Sequence, residues 1–230
     1  MTTNRIVPVL VSLAIIIQAV VFYRQYVRPA ETARFAPVFA APQNTFVNID
    51  GWLLRGNPKA RVLLIEFSDY ECPYCIRHAM SVGKQLQSDF VAPGKIQYTF
   101  ANNPLRIHSD ARLLALAALC AGRQDHYWEM HDAIFELRPR NKNAVFAVGA
   151  GLGSLDGMKF QECIESGAGL KTQIERDTET AKALGLTGTP GFALAVLEDN
   201  GRATVKTVIQ GAQGLSLFHN VIEELLRKQP

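Results

Sequence analysis

The sequence predicts an α/β domain with a large helical insertion, preceded by an N-terminal transmembrane helix. The apolar run at residues 62–65 has the length and composition of a buried strand, and a Cys-x-x-Cys sequence follows it after a short turn. A long stretch of helical pattern, residues 109–185, separates this half of the chain from two further strands. Residues 6–23 are uncharged and consist mostly of Val, Ile, Leu and Ala.

The N-terminal segment has the length of a membrane anchor. At about 1.5 Å per residue, positions 6–23 would span roughly 27 Å as a helix, which is just adequate for a bilayer core. A cleaved signal peptide is the alternative, because residues 38–40 offer a small-residue cleavage pattern, although about 17 residues beyond the apolar run. We therefore expect an uncleaved anchor over residues 1–28, a flexible linker rich in Pro and Ala over 29–45, and a folded domain over 46–230.

Composition and motif spacing exclude several classes of function. The net charge is only +3 over 230 residues, so nothing indicates a nucleic-acid partner. His126 and His131 are five positions apart and do not share a helix face as i, i+4 ligands would, so we expect no metal site. The glycines of residues 149–154 lack the strand–turn–helix context of a dinucleotide loop, so we expect no bound cofactor.

The strongest functional signal is the pair Cys72 and Cys75. Pro73, between them, is favoured at the first position of a helix, where its missing N–H costs nothing. Two cysteines three positions apart on a helix lie on the same side and are close enough to form a disulfide. Cys72 would stand at the helix N-terminus, where free backbone N–H groups and the helix dipole favour a thiolate. A strand, a turn and this pair at a helix start indicate a redox-active dithiol.

Other polar residues near the dithiol are expected to have structural roles. Asp69 and Glu71 lie in the turn before the cysteines, where we expect surface positions, with Asp69 able to stabilise the turn. Arg77 and His78 follow on the helix and are expected to be exposed. His108 precedes the next predicted helix, and the sequence names no partner for it.

The remaining cysteines, Cys120 and Cys163, lie in apolar neighbourhoods within the helical insertion. Four cysteines allow three connectivities, and one close pair plus one distant pair fits a catalytic pair with a structural disulfide. That disulfide would close a loop of about 44 residues and contribute roughly 4 kcal/mol, less any strain. Two separately buried thiols are the alternative.

After the insertion, the pattern returns to strands. The predicted elements are a helix at residues 170–184, strands at 192–197 and 204–209, and a helix at 215–227. The loop before the first of these strands ends in Thr189-Pro190.

The segment EFSDYECPYC, residues 66–75, resembles the active-site segment of the thioredoxin superfamily, in particular its DsbA-like branch of extracytoplasmic thiol–disulfide oxidoreductases. The resemblance covers about residues 46–228 and implies a thioredoxin-like fold. It implies that Cys72 and Cys75 are catalytic, and that Glu66 is buried beneath them and helps to move their protons.

The resemblance also implies a substrate-binding surface around the dithiol. Pro190 matches the proline that faces the dithiol in a cis peptide bond, and the backbone of Thr189 would pair with the substrate chain. Pro73 and Tyr74 would modulate access to the cysteines. Gly191 departs from the family, which usually has a side chain there.

From these features we expect a membrane-anchored, periplasmic oxidoreductase that forms disulfides in other proteins. Its partners would be reduced or misoxidised proteins, a membrane redox protein that recycles the dithiol, and the bilayer around residues 6–23. The alternatives are a disulfide reductase or isomerase with the same dithiol and, more distantly, a non-catalytic thioredoxin-like assembly module. If the signal were cleaved, the protein would be secreted or periplasmic.

Overall fold

The computed structural model of the chain describes residues 16–18, 21, 38–167 and 169–229. The chain forms two compact units, residues 1–39 and 40–230. In the first unit, residues 16–18 and 21 are helical. The rest of the transmembrane helix predicted at 6–23 lies outside the described residues. Within those residues no helix combines the length and the apolar character needed to span a membrane.

The second unit is built on a mixed sheet. Its strands are β2 (Phe46–Asn48), β3 (Arg55–Gly56), β4 (Val62–Ser68), β5 (Gln97–Asn102), β6 (Gly191–Leu197) and β7 (Arg202–Gln210), and β1 (Val38–Ala40) precedes them in the chain. The strands run in the order β7–β6–β4–β5–β3, with β2 also paired to β7. Strands β4 and β5 are parallel, whereas β4–β6 and β6–β7 are antiparallel. All seven residues of β4 are buried, including Glu66 and Ser68, as expected for a central strand that is covered on both faces.

A long, irregular helix follows β4. It comprises α1 (Pro73–His78), a π-helical turn (Ala79–Gly83), α2 (Lys84–Leu86) and a second π-helical turn (Gln87–Val91). A π turn makes i→i+5 hydrogen bonds and is often found at functional sites.

The helical insertion between β5 and β6 is confirmed. It contains α3 (Ala111–Gly122), α4 (Tyr127–Glu136), α5 (Lys142–Gly151), α6 (Gly157–Ser166) and α7 (Leu170–Ala183), and α8 (Leu215–Arg227) closes the chain. Nine of the twelve residues of α3 are buried, because α4, α5, α6 and α7 all pack against it. Cys120 on α3 and Cys163 on α6 form a disulfide. The α/β fold with a helical insertion therefore has the predicted form.

The end of the predicted linker belongs to the sheet. Ala41 donates a backbone hydrogen bond to Lys206 on β7, at 3.1 Å, and Val205 on the same strand donates one to Thr45, at 2.8 Å. These backbone bonds hold residues 41–45 on β7. This part of the predicted linker, residues 29–45, is therefore paired with the sheet.

Candidate active site

The loop after β4 places the dithiol at the start of α1. The Asp69 side chain accepts a hydrogen bond from the Glu71 N–H, at 2.8 Å, and the Asp69 carbonyl accepts one from the Cys72 N–H, at 3.2 Å. This turn makes Cys72 the N-cap residue of α1, and Pro73 is the first residue of the helix. Cys72 and Cys75 are both present as free thiols.

Cys72 is the activated thiol of the pair. Hydrogen bonds from the Cys75 thiol, first of all, and from the backbone N–H groups of Cys75 and Tyr74 outweigh burial, and they lower the pKa of Cys72 to about 5. At neutral pH this corresponds to roughly a hundred-fold excess of thiolate over thiol. The Cys72 Sγ lies 3.4 Å from the carbonyl oxygen of Thr189, to which the thiol form donates.

Cys75 has the opposite character. Its side chain is fully buried, and burial, together with its hydrogen bond to Cys72, raises the pKa of Cys75 strongly. The nearby Ser68 hydroxyl acts in the other direction but does not offset these effects. The two sulfurs therefore differ in role: Cys72 is a thiolate that can attack or leave, and Cys75 is a thiol that holds its proton.

The loop before β6 faces Cys72 across the site. The Thr189–Pro190 peptide bond is cis, and the Thr189 carbonyl is the group that contacts the Cys72 sulfur. The structure also explains Gly191, which departs from the family pattern. A Cβ at this position would lie 2.6 Å from Cδ2 of Leu186, so the buried Leu186 side chain occupies the space that a side chain would need.

Glu66 lies in the interior of the sheet, as the resemblance implies. It is 3% exposed, and its Oε2 accepts a hydrogen bond from the Tyr98 hydroxyl at 2.9 Å. In the register of the sheet, Glu66 stands between Phe100 on β5 and Phe192 on β6.

The prediction that His78 is exposed is wrong. His78 is 2% exposed, and its Nε2 lies 3.7 Å from Oε2 of Glu66. It shares the buried face of α1 with Cys75, three positions earlier, and its ring packs on Phe192 and Phe218. Burial lowers the pKa of His78, although the Glu66 charge opposes this shift. The spacing from Cys75 was the signal in the sequence that could have placed His78 in the interior.

Asp69 and His108 form a second pair that the sequence did not bring together. Asp69 is 2% exposed, contrary to the expected surface position, and its Oδ2 accepts hydrogen bonds from the Leu105 N–H at 2.7 Å and from Nδ1 of His108 at 2.8 Å. Burial acts against protonation of His108, but the hydrogen bond and charge of Asp69, with the charges of Cys72 and Glu71, raise its pKa. The two residues are 39 positions apart, so only the fold could pair them.

The surface beside Cys72 is formed by exposed residues. Pro73 and Tyr74 are exposed, and the Arg77 guanidinium lies 4.9 Å from the centre of the Tyr74 ring. Pro190 is buried and Thr189 is half-buried. Among the described residues, no group of three or more His, Cys, Asp or Glu side chains is arranged to hold a metal ion.

Comparison with known proteins identifies a matching family and similar sequences. The family model described as thioredoxin matches residues 50–204. The chain is 34% identical over 144 residues to the Na(+)/H(+) antiporter NhaA 1 of Salinispora arenicola, covering 60% of this chain and 21% of that protein. It is 27% identical over 152 residues to disulfide bond formation protein D of Bacillus subtilis, covering 62% of this chain and 67% of that protein.

A solved structure agrees with these matches. The crystal structure of alpha-DsbA1 from Wolbachia pipientis is 26% identical, superposes with a TM-score of 0.63, and covers 78% of this chain and 92% of that one. The chain spans only about a fifth of the length of the antiporter relative and about two thirds of disulfide bond formation protein D.

Proposed function

The chain belongs to the thioredoxin family, as a DsbA-like protein, and on that premise we propose that it is a protein dithiol–disulfide oxidoreductase acting through Cys72 and Cys75. The observation that carries the proposal is the placement of the two thiols: Cys72 stands at the N-cap of α1 facing the cis Thr189–Pro190 loop, and Cys75 is buried one turn later. This placement lowers the pKa of Cys72 and raises that of Cys75. Thiol–disulfide exchange proceeds by attack of a thiolate on a disulfide sulfur, and a thiol of low pKa is also the better leaving group.

The reaction begins with the disulfide form of the protein. A substrate thiolate attacks the Cys72 sulfur, the Cys72–Cys75 bond breaks, and Cys75 takes a proton. The second substrate thiolate then attacks the substrate sulfur of the mixed disulfide, and Cys72 leaves as a stable thiolate. The substrate loses two electrons and gains a disulfide, and the protein ends as the dithiol.

The low pKa of Cys72 favours oxidation over reduction as the direction of the reaction. Stabilising the thiolate stabilises the dithiol form, and a couple whose reduced form is stabilised is the stronger oxidant. A pKa of about 5 at Cys72 lies between the value of about 7 in thioredoxin and the value of about 3.5 in DsbA. Disulfide reduction by the same dithiol is the second candidate, and a potential near that of thioredoxin would favour it.

The substrate chain would bind between the cis-proline loop and the dithiol. The Thr189 backbone, next to the Cys72 sulfur, is placed to pair with an extended substrate segment, and Pro190 presents no N–H of its own. The exposed Pro73 and Tyr74 would contact the substrate on the other side of Cys72.

The location of the reaction follows from redox chemistry and from the sequence. A structural disulfide and an oxidising dithiol belong outside the cytosol, so we place the domain on the extracytoplasmic, periplasmic side. We propose that residues 6–23 anchor it to the membrane, with release after signal cleavage as the alternative. A membrane redox partner would return Cys72 and Cys75 to the disulfide after each turnover.

Oxidation of a reduced, unfolded model protein tests the function. The oxidised full-length chain should restore the disulfides and activity of the model protein, and Cys72→Ser should abolish this. Offered the disulfide form of the model protein, Cys75→Ser should accumulate a mixed disulfide, visible by mass spectrometry, because Cys72 attacks the substrate disulfide and no second cysteine resolves the adduct. As a control, the double variant C120A/C163A, which removes the distant pair, should retain the reaction. Equal activity in Cys72→Ser would refute the assignment.

A further inference from the structure

The loop between β5 and α3 is hydrogen-bonded to the turn that carries Cys72. Three of its backbone N–H groups donate to residues 68–71, at 2.8, 2.7 and 2.6 Å: Asn103 to the Ser68 carbonyl, Leu105 to the Asp69 carboxylate and Asp110 to the Glu71 carboxylate. His108 lies between the last two of these donors in the chain. The loop therefore holds His108 against the turn from which the dithiol starts.

Asp69 contacts both His108 and Cys72. Nδ1 of His108 lies 2.8 Å from Asp69 Oδ2, and the Asp69 carbonyl accepts the hydrogen bond from the Cys72 N–H at 3.2 Å. The Asp69 side chain is fully buried, and that of His108 is 17% exposed. Among the described residues, Asp69 is the only hydrogen-bond partner of the His108 side chain. A carboxylate at Nδ1 fixes the orientation of the ring and favours its charged form.

Charged groups from three segments surround His108. Burial lowers the pKa of His108, but the hydrogen bond and charge of Asp69, followed by the charges of Cys72 and Glu71, raise it overall. The Cys72 thiolate is thus one of the groups that hold the proton on His108. Because coupling between two sites is reciprocal, a proton on His108 favours the Cys72 thiolate to the same extent. The other charged residues of these segments are Arg106 and Asp110 on the same loop and, after α4, Arg140, which interacts with the charge of Glu71.

We propose that His108, held in place by Asp69, is a positioning residue that puts a titratable positive charge beside Cys72 and stabilises its thiolate. The inference rests on the proposed exchange chemistry, in which Cys72 is the sulfur that leaves as a thiolate. Reduction of the Cys72–Cys75 disulfide creates this negative charge, so His108 holds its proton more tightly in the dithiol form than in the disulfide form. His108 thereby links the oxidising strength of the dithiol to pH.

The reaction with glutathione shows the direction of this link. Two electrons pass from two glutathione thiols to the Cys72–Cys75 disulfide, and glutathione disulfide forms. Cys75 takes one of the two thiol protons, and the other goes to water or to His108. A protonated His108 stabilises the dithiol and so makes the protein the stronger oxidant. This contribution is complete below the pKa of His108 in the disulfide form and is lost as the pH rises through its pKa in the dithiol form.

Proton NMR titration of the His108 ring in the full-length chain measures the coupling directly. The ring signal is assigned by its absence from the spectrum of His108→Gln. His108 should bind its proton roughly three-fold more tightly in the dithiol form than in the disulfide form, a factor typical of a charge pair at the protein surface. His126, which is bonded to Ser154 in the helical insertion, is the internal control, and its titration should not differ between the two forms.

Substitution of His108 separates its charge from its role in holding the loop. His108→Gln keeps a donor for Asp69 but removes the positive charge. Followed by thiolate absorbance, Cys72 in this variant should titrate at higher pH than in the wild type, with its thiolate roughly three-fold less favoured. His108→Lys returns a positive charge and should restore the wild-type titration of Cys72. His126→Gln is the matched control and should titrate like the wild type.

The redox equilibrium with glutathione gives a third readout. At pH values where His108 is protonated in both redox forms, the wild type should favour the dithiol roughly three-fold more than His108→Gln does. The two chains should converge where His108 has lost its proton in both forms. A residue that only held the loop would not produce this dependence on pH.

Equal proton affinities of His108 in the two redox forms would overturn the proposal, and this measurement needs only the wild-type protein in each form. An unchanged Cys72 titration in His108→Gln, or a defect that His108→Lys does not restore, would also overturn it. None of these measurements uses a protein substrate. Failure of the proposed function would instead appear as wild-type chain that does not oxidise a reduced protein.

Discussion

At the scale of single residues, the thiol groups of Cys72 and Cys75 lie in two contrasting environments. Cys72 at the N-cap of α1 receives hydrogen bonds from the start of the helix and from Cys75, which stabilise its thiolate. Cys75, one turn later, faces the interior, where burial favours its protonated form. The difference arises because an N-cap residue lies beside free N–H groups, whereas a residue one turn into the helix lies beside the sheet.

The first prediction concerns the titration of Cys72. Followed by thiolate absorbance in the ultraviolet, the reduced chain should show one thiol with a pKa of about 5, and this transition should be missing in Cys72→Ser. The Cys75→Ala variant should titrate at higher pH, because it removes the Cys75 thiol, which is the largest stabilising contact of the Cys72 thiolate. A Cys72 pKa near the ordinary thiol value of about 8.5 would contradict the site geometry.

The second prediction concerns Gly191. Gly191→Ala should lower the free energy of unfolding by about 1–3 kcal/mol, because the new methyl group would overlap with Leu186 in a packed interior. Chemical denaturation of the reduced chain measures this change. Gly188→Ala is the control in the same loop, since a Cβ there meets no atom within 4 Å, and its stability should change little. Equal effects of the two variants would show that Leu186 does not fill the space beside Gly191.

At the scale of elements, the helical insertion is held together by contacts between distant segments. The disulfide joins α3 to α6 across 43 positions. Asp177 on α7 accepts hydrogen bonds from the Trp52 indole at 2.8 Å and from the Asn102 N–H at 3.0 Å, which ties the last helix of the insertion to β5. The disulfide holds the insertion together, and the Asp177 hydrogen bonds attach it to β5, the neighbour of the strand that precedes the dithiol.

The third prediction concerns the disulfide between α3 and α6. The double variant C120A/C163A should lose about 4 kcal/mol of stability, because the unfolded chain regains the freedom of a loop of this length. The same loss should follow reduction of that disulfide in the Cys72→Ser/Cys75→Ser background. Thermal or denaturant unfolding provides the measurement. Unchanged stability would mean that the insertion is held by packing alone.

At the scale of the whole molecule, the chemistry of one thiolate is coupled to the stability of the fold. The folded-state pKa of Cys72, about 5, is depressed below the value of about 8.5 in an unfolded chain. This difference stabilises the folded dithiol form fully above pH about 8.5, and the stabilisation is lost as the pH falls through about 5. The disulfide form has no thiolate at this position and no such contribution.

The fourth prediction follows from this coupling. At pH 7 the dithiol form should unfold at a higher temperature than the form with Cys72 and Cys75 oxidised, and the difference should shrink towards pH 5. Calorimetry of both redox forms across this pH range is the measurement. A disulfide form that is the more stable at every pH would favour the reductase alternative, because the thermodynamic cycle ties the relative stability of the two forms to the reduction potential.

Much of this molecule could be predicted from local sequence. Residue types and their spacing predict secondary structure. They were enough to predict the buried strand β4, the helix start with Pro73 between two cysteines, and the long helical insertion. The choice of Cys72 as the reactive sulfur is also local, because helix termini act on their nearest residues.

Only the tertiary structure decided which distant groups meet. It buried His78 against Glu66, paired Asp69 with His108, and placed the Thr189 carbonyl beside Cys72. Each of these contacts joins residues from different elements. Sequence periodicity assigns a face to each element but does not say which face of another element will lie opposite, so burial and pairing at these residues follow from packing of the complete sheet and its helices.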